Sequence, residues 1–257
     1  MLTFQAVTKR FDTLDGVRTV FENLDITIGT GEFVSVVGSN GAGKSTFVRL
    51  VSGDLLPDAG EVSLDGKGLS LMPLHVRKRL IGKVYQDPAL GAVSRMTVME
   101  NLSMAGRKGQ TFGLSLGLNR RERGRYGEVL GTLGMGLENH LDTEVRFLSG
   151  GQRQALALVM ATLVTPRILI LDEHTAALDP KSAQLILEKT AALVSAERMT
   201  TIMITHSLQS AIQYGDRLLL FSGGQVRLDL KGAEKHTLTP AALMPYYVQE
   251  GAASPLA

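Results

Sequence analysis

The sequence predicts an α/β protein organised around a phosphate-binding loop, and three stretches carry that reading. Gly38-Ser39-Asn40-Gly41-Ala42-Gly43-Lys44-Ser45-Thr46 follows the apolar run Phe33-Val34-Ser35-Val36-Val37 and precedes a helical pattern of Phe47, Val48, Leu50 and Val51. Ile168-Leu169-Ile170-Leu171 is an uninterrupted apolar run, as a parallel strand buried on both faces requires, and it ends in Asp172 and Glu173. Residues 201–205 give another buried strand with His206 at its end. Ligands of open α/β sheets gather at that edge of the strands.

In the loop, Gly38, Gly43, Lys44 and Ser45 meet the spacing G-x-x-x-x-G-K-[ST]. Its glycines let backbone amides turn inward, and the helix that begins at Lys44 adds the positive end of its dipole. Lys44 is placed to reach the β- and γ-phosphates, and the Ser45 hydroxyl to ligate Mg²⁺.

The composition narrows the partners. A chain of 257 residues can form one large domain or two small ones, and 44% apolar with 20% charged residues is ordinary for a globular protein. A net charge of +2 makes no case for nucleic acid. With no cysteine, disulfides, thiolate zinc sites and iron–sulfur ligation by this chain are excluded. The first residues lack the basic and apolar regions of a secretory signal. The most apolar stretch, 155–164, falls short of the roughly 20 residues that span a bilayer, so membrane attachment is expected only through a partner.

In chain order, residues 1–37 read as β-rich: alternation at Leu2, Phe4 and Ala6, then strands over 20–28 and 32–37, with turns at Asp15-Gly16 and Gly29-Thr30-Gly31. Phe11 stands among polar neighbours, where an aromatic either stacks on a nucleotide base or packs into a core. A strand over 61–66, a helix over 74–80 and a short strand over 81–85 follow, the last ending in Gln86-Asp87-Pro88. From about 89 to 164 the pattern turns helical. Thr97 with Glu100 forms a capping box, 106–117 reads as a mobile Gly-rich loop, and Arg120, Arg121, Arg123 and Arg125 form either a solvated basic face or a contact with an acidic partner or lipid headgroups. Pro180 starts a helix after Asp179, 217–221 and 226–230 flank a hairpin turn, and 251–257 reads as a frayed tail.

Hydrolysis at a bound nucleotide needs a held metal and a base that orients water. Asp172 suits the first role and Glu173 the second; a bare pair of this kind also serves as helix cap and first-turn acid. Gln86 can offer its amide to the metal or to the attacking water, and His206 a hydrogen bond to the γ-phosphate. Ser149-Gly150-Gly151-Gln152 opens an apolar helix and forms a second anion-binding helix start, which one nucleotide does not need from the same chain. The same four residues recur at Ser222-Gly223-Gly224-Gln225, but between two alternating strands, where Gly-Gly makes a hairpin turn.

Together these residues resemble the ATP-binding-cassette (ABC) family over nearly the whole chain. The Walker A motif is matched by 38–46, the Q-loop by Gln86, the signature by 148–152, Walker B by 168–173, the D-loop by Ala176-Ala177-Leu178-Asp179 and the switch histidine by His206. The resemblance implies the ABC ATPase fold: a P-loop NTPase core (1–88 and 166–250) with an antiparallel β subdomain and an inserted α-helical subdomain (89–165). It implies ATP and Mg²⁺ as cofactors and a head-to-tail dimer in which Ser149, Gly150, Gly151, Gln152 and Asp179 meet the ATP on the partner's P-loop. It also implies Phe11 as the base-stacking residue. Further implied are transmembrane permease subunits, a separate solute-binding protein, and a place on the cytoplasmic face of the inner membrane. The expected function is an importer of small solutes such as amino acids; a soluble family ATPase in DNA repair, translation or cofactor assembly is the alternative. Two positions depart from the family pattern: His174 where Pro is usual, and Ala176 where Ser is common.

Overall fold

The computed structural model describes residues 1–14, 16–108 and 120–248. Asp15 of the predicted first turn, most of the predicted loop over 106–117 and the tail over 251–257 therefore lie outside the described residues. The chain divides into two compact units, one formed by Met1–Lys78 with the chain from Arg198 onward, the other by Arg79–Glu197.

The first unit opens with the antiparallel hairpin β1 (Leu2–Thr13) and β2 (Gly16–Ile28). Its register shifts between Phe4 and Arg10, so the alternation that marks the start of β1 is lost further along. β3 (Phe33–Gly38) is buried throughout, and its one hydroxyl is satisfied, since Ser35 donates to the Tyr214 carbonyl at 2.8 Å. α1 (Lys44–Ser52) leaves the loop after β3 and presses Phe47, Val48, Leu50 and Val51 into the core. Phe47 stacks on Phe4 at 4.8 Å and meets Phe221 at 5.3 Å, a cluster that ties both sheets of this unit to the helix. β4 (Ala59–Leu64) and β5 (Lys67–Gly68) complete a four-stranded antiparallel sheet in the order β2-β1-β4-β5.

α2 (Leu74–Leu80) leads into the second unit. There β6 (Ile81–Val84) pairs in parallel with β7 (Ile168–Asp172), with Lys83 opposite Ile170 and Val84 opposite Leu171. Between them run α3 (Val98–Gly106), α4 (Arg120–Gly131) and α5 (Gly150–Thr162). The expected capping box of α3 is present: Glu100 accepts from the Thr97 backbone at 2.7 Å and Thr97 Oγ1 from the Glu100 backbone at 3.2 Å. Val98, Leu102, Tyr126, Leu130, Leu148, Leu156 and Ile186 close one apolar core around these helices and α6 (Pro180–Glu197). On α4, Arg123 makes a two-pronged, exposed pair with Asp142.

The chain re-enters the first unit at β8 (Thr200–Ile204), which lies parallel to β3. α7 (Leu208–Gln213) follows, and β9 (Arg217–Ser222) pairs in parallel with the other side of β3. β10 (Gln225–Lys231) returns antiparallel to β9 through Gly223 and Gly224, both at positive φ (56° and 72°), the hairpin turn expected of the second Ser-Gly-Gly-Gln. α8 (Gly232–His236) and α9 (Pro240–Val248) finish the described chain. Arg217 is 5% exposed yet paired: it bonds both Asp229 oxygens, the Thr27 carbonyl and Glu32.

Candidate nucleotide-binding site

In the first unit the loop between β3 and α1 has the shape of an anion cradle. Gly41 and Gly43 take φ values of 87° and 102°, open only to glycine at low cost, and Gly43 is the N-cap of α1. No side chain caps this helix and no acid occupies its first turn, so no side chain of its own offsets the positive end of its dipole. Close neighbours enforce the glycines: a Cβ on Gly38 would stand 2.3 Å from the Phe221 backbone carbonyl oxygen, and one on Gly43 2.7 Å from the Phe21 side-chain Cζ. The buried Lys44 ammonium donates to the Gly38 and Ser39 carbonyls at 2.6 and 2.8 Å. Ser39 Oγ is buried without a hydrogen-bond partner among the described residues, the kind of orphaned group that a bound phosphate or its water would satisfy. Asn40 and Ser45 are exposed, Ala42 is buried beneath the loop, and Thr46 is half-buried on α1.

Two further predicted residues belong to this unit. Phe11 lies on β1 opposite Arg18, half-buried, with the Lys9 ammonium 5.4 Å from its ring centre. Arg18, which the sequence did not single out, points its guanidinium toward the Gly41 carbonyl at 3.5 Å. His206 is exposed just past the end of β8.

The second unit holds the carboxylates. Asp172 closes β7 and Glu173 follows it, both half-buried. Glu173 sits at φ 48°, a left-handed conformation that a non-glycine residue adopts at a cost of roughly 1–2 kcal/mol. His174 is 2% exposed, and its Nε2 finds no hydrogen-bond partner among the described residues; burial pushes its pKa down to about 4.

Gln86 is exposed on the loop after β6. The buried Gln154 on α5 donates to the carbonyl of Tyr85 at 3.2 Å and so fixes the residue just before it. α5 begins at Ser149, whose side chain accepts from the Gln152 backbone at 3.2 Å while Gln152 Oε1 accepts from the Ser149 backbone at 3.0 Å. The signature and D-loop segments meet: a Cβ on Gly150 would lie 3.7 Å from Leu178, and one on Gly151 3.2 Å from Ser182. Asp179 accepts from the Ser182 backbone at 3.0 Å, and hydrogen bonds from Ser182 hold its pKa below the usual carboxylate range.

Among the described residues no group of three or more His, Cys, Asp or Glu side chains could hold a metal ion unaided. Ser45 in the first unit, and Asp172 and Gln86 in the second, each carry the hard oxygen donor that suits Mg²⁺.

The family described as ABC transporter matches residues 21–176. The chain belongs to the ABC transporter family. A tyrosine transport ATP-binding protein of Clostridioides difficile is 43% identical over 240 residues, 93% of this chain and 95% of that one. An aliphatic sulfonates import ATP-binding protein of Burkholderia ambifaria is 36% identical over 228 residues, 89% of this chain and 63% of that one. Among solved structures, a dimeric ATP-binding cassette in a post-hydrolysis state with ADP and Pi is 27% identical, covers 90% of this chain and 98% of that one, and has a TM-score of 0.77. The fold is the ABC ATPase fold expected from the motifs, and the chain is an ATP-binding, ATP-hydrolysing transporter subunit. No helix among the described residues is long and apolar enough to cross a membrane.

Proposed function

We propose that this chain powers an importer of small solutes of the amino-acid type, working as a head-to-tail pair on transmembrane permease subunits that receive the solute from a separate binding protein. The observation that carries the substrate class is the 43% identity, over almost the full length of both chains, to a tyrosine transport ATP-binding protein. Such a subunit sits on the cytoplasmic face of the inner membrane through its permease, the side where ATP is found.

The residue roles proposed with this reading rest on the chemistry of each side chain and on its place within its own unit. The uncapped start of α1 and the 38–46 loop take the phosphates, with Lys44 exchanging its two loop carbonyls for β- and γ-oxygens. Phe11 offers a ring face to the base. Ser45, Asp172 and Gln86 would hold Mg²⁺, which would supply charge neutralisation at the phosphates. Glu173 accepts the proton of the attacking water, and His206 donates to the γ-phosphate. Ser149, Gly150, Gly151 and Gln152 present a second helix start, exposed at Ser149, to the nucleotide of the other copy, and Asp179 supports it from the D-loop.

The test is reconstitution of the chain with the permease that co-purifies from its source, in vesicles carrying ATP on the side of this subunit. ATP-dependent uptake of an aromatic amino acid supports the proposal. Co-purification with ribosomes or DNA instead of a membrane protein overturns it in favour of a soluble family ATPase.

A further inference from the structure

Parallel strands covered on both faces are normally continuous apolar runs, and β6 breaks that rule in its centre. Ile81, Gly82 and Val84 are buried, and between them stands Lys83 with a side chain 16% exposed. A charge inside such a strand costs desolvation, so its partner is informative. That partner is Asp172 on the adjacent β7: the Lys83 ammonium lies 3.2 Å from Asp172 Oδ2, and the carboxylate is itself only 26% exposed. The same ammonium stands 4.7 Å from the centre of the ring of Tyr85, the residue that follows β6.

We propose that Lys83 is a positioning residue that acts as a built-in competitor for the divalent cation, holding Asp172 until nucleotide-borne metal displaces it. The inference rests on the reading that Asp172 contributes to holding the metal. One carboxylate cannot give the same lone pairs to an ammonium and to a cation, so metal engagement at Asp172 carries the cost of breaking this ion pair. The released ammonium has the Tyr85 ring to rest on, and Tyr85 adjoins Gln86. Metal occupancy at β7 is thereby linked to the loop that carries Gln86. Methionine in place of Lys83 would keep the stem's packing and remove the competitor.

The measurement is the free Mn²⁺ signal in electron paramagnetic resonance, titrated into protein saturated with a non-hydrolysable ATP analogue. A partly buried ion pair of this kind is worth enough that Lys83→Met should bring the Mn²⁺ midpoint down about fivefold. Lys83→Arg, which keeps the charge, should restore the native midpoint. In an Asp172→Asn background Lys83→Met should have no effect, because the shared group is gone. If Lys83→Met leaves the midpoint unchanged or raises it while Asp172→Asn weakens Mn²⁺ binding, the competitor role is overturned. If Asp172→Asn itself leaves Mn²⁺ binding unchanged, it is the metal-holding role of Asp172 that fails. An equal effect of Lys83→Met in both backgrounds also overturns the proposal, since it would not act through Asp172.

Discussion

His174 gives the protein a specific acid sensitivity, and replacing it with leucine isolates that effect. Its imidazole is buried, has an unpartnered Nε2 among the described residues and has a pKa pushed from 6.5 down to about 4. The unfolded chain therefore binds a proton below about pH 6.5 that the folded chain refuses until about pH 4, so stability falls with pH across that window and is unaffected above it. Between pH 8 and pH 5 the loss works out at about 2 kcal/mol from this residue alone. For a chain of this size that corresponds to roughly 4–8 °C in Tm. The assay is thermal unfolding of nucleotide-free protein at both pH values, for wild type and His174→Leu. Leucine fills similar volume without a polar atom, so the variant should match or exceed the wild type at pH 8. It should also lose about 2 kcal/mol less on acidification. Equal pH dependence in the two proteins would refute the reasoning, because His174 would then be charged or hydrogen-bonded in the folded state.

Glu173→Gln should lower ATP turnover by about 10²–10⁴ while leaving ATP-driven dimerisation intact, read by a steady-state phosphate assay beside size-exclusion chromatography with ATP. Gly38→Ala should destabilise the fold by about 3 kcal/mol in urea unfolding, because its new Cβ would sit 2.3 Å from the Phe221 carbonyl, on backbone that cannot give way like a side chain. Arg217→Met should cost about 1.5–3 kcal/mol by the same assay, since Asp229 and the Thr27 carbonyl lose their charged donor while Glu32 keeps Lys231.

Features that rest on local chemistry were legible in the sequence. The phosphate loop, the Thr97–Glu100 capping box and the two fates of Ser-Gly-Gly-Gln follow from glycine freedom, helix-end amides and strand alternation, all readable within a few residues; the second capping box, Ser149 with Gln152, was not singled out there. The hairpin strands were underestimated for a physical reason: β1 continues to Thr13 and β2 begins at Gly16, but register shifts and solvent on both faces erase the period-2 signal there. The ion pair of Lys83 with Asp172 joins residues 89 positions apart in sequence, and only the pairing of β6 with β7 brings them together. Its one trace in the sequence was a lysine inside an apolar run. The left-handed Glu173 left no trace, because strain of this kind is imposed by the surrounding structure rather than by the residue's own preference. His174 was visible as a departure from the family pattern, but its burial and orphaned nitrogen were not.

The central claim is that each ATP is held by the 38–46 loop of one copy and the Ser149 helix start of another. In a Glu173→Gln background, heterodimers of Lys44→Ala subunits with Ser149→Arg subunits contain one site built from two intact halves and one built from two damaged halves. Counting the ATP occluded per purified heterodimer measures this directly. One nucleotide per heterodimer, with none in either homodimer, is the predicted result; two, or none, contradicts sharing between copies.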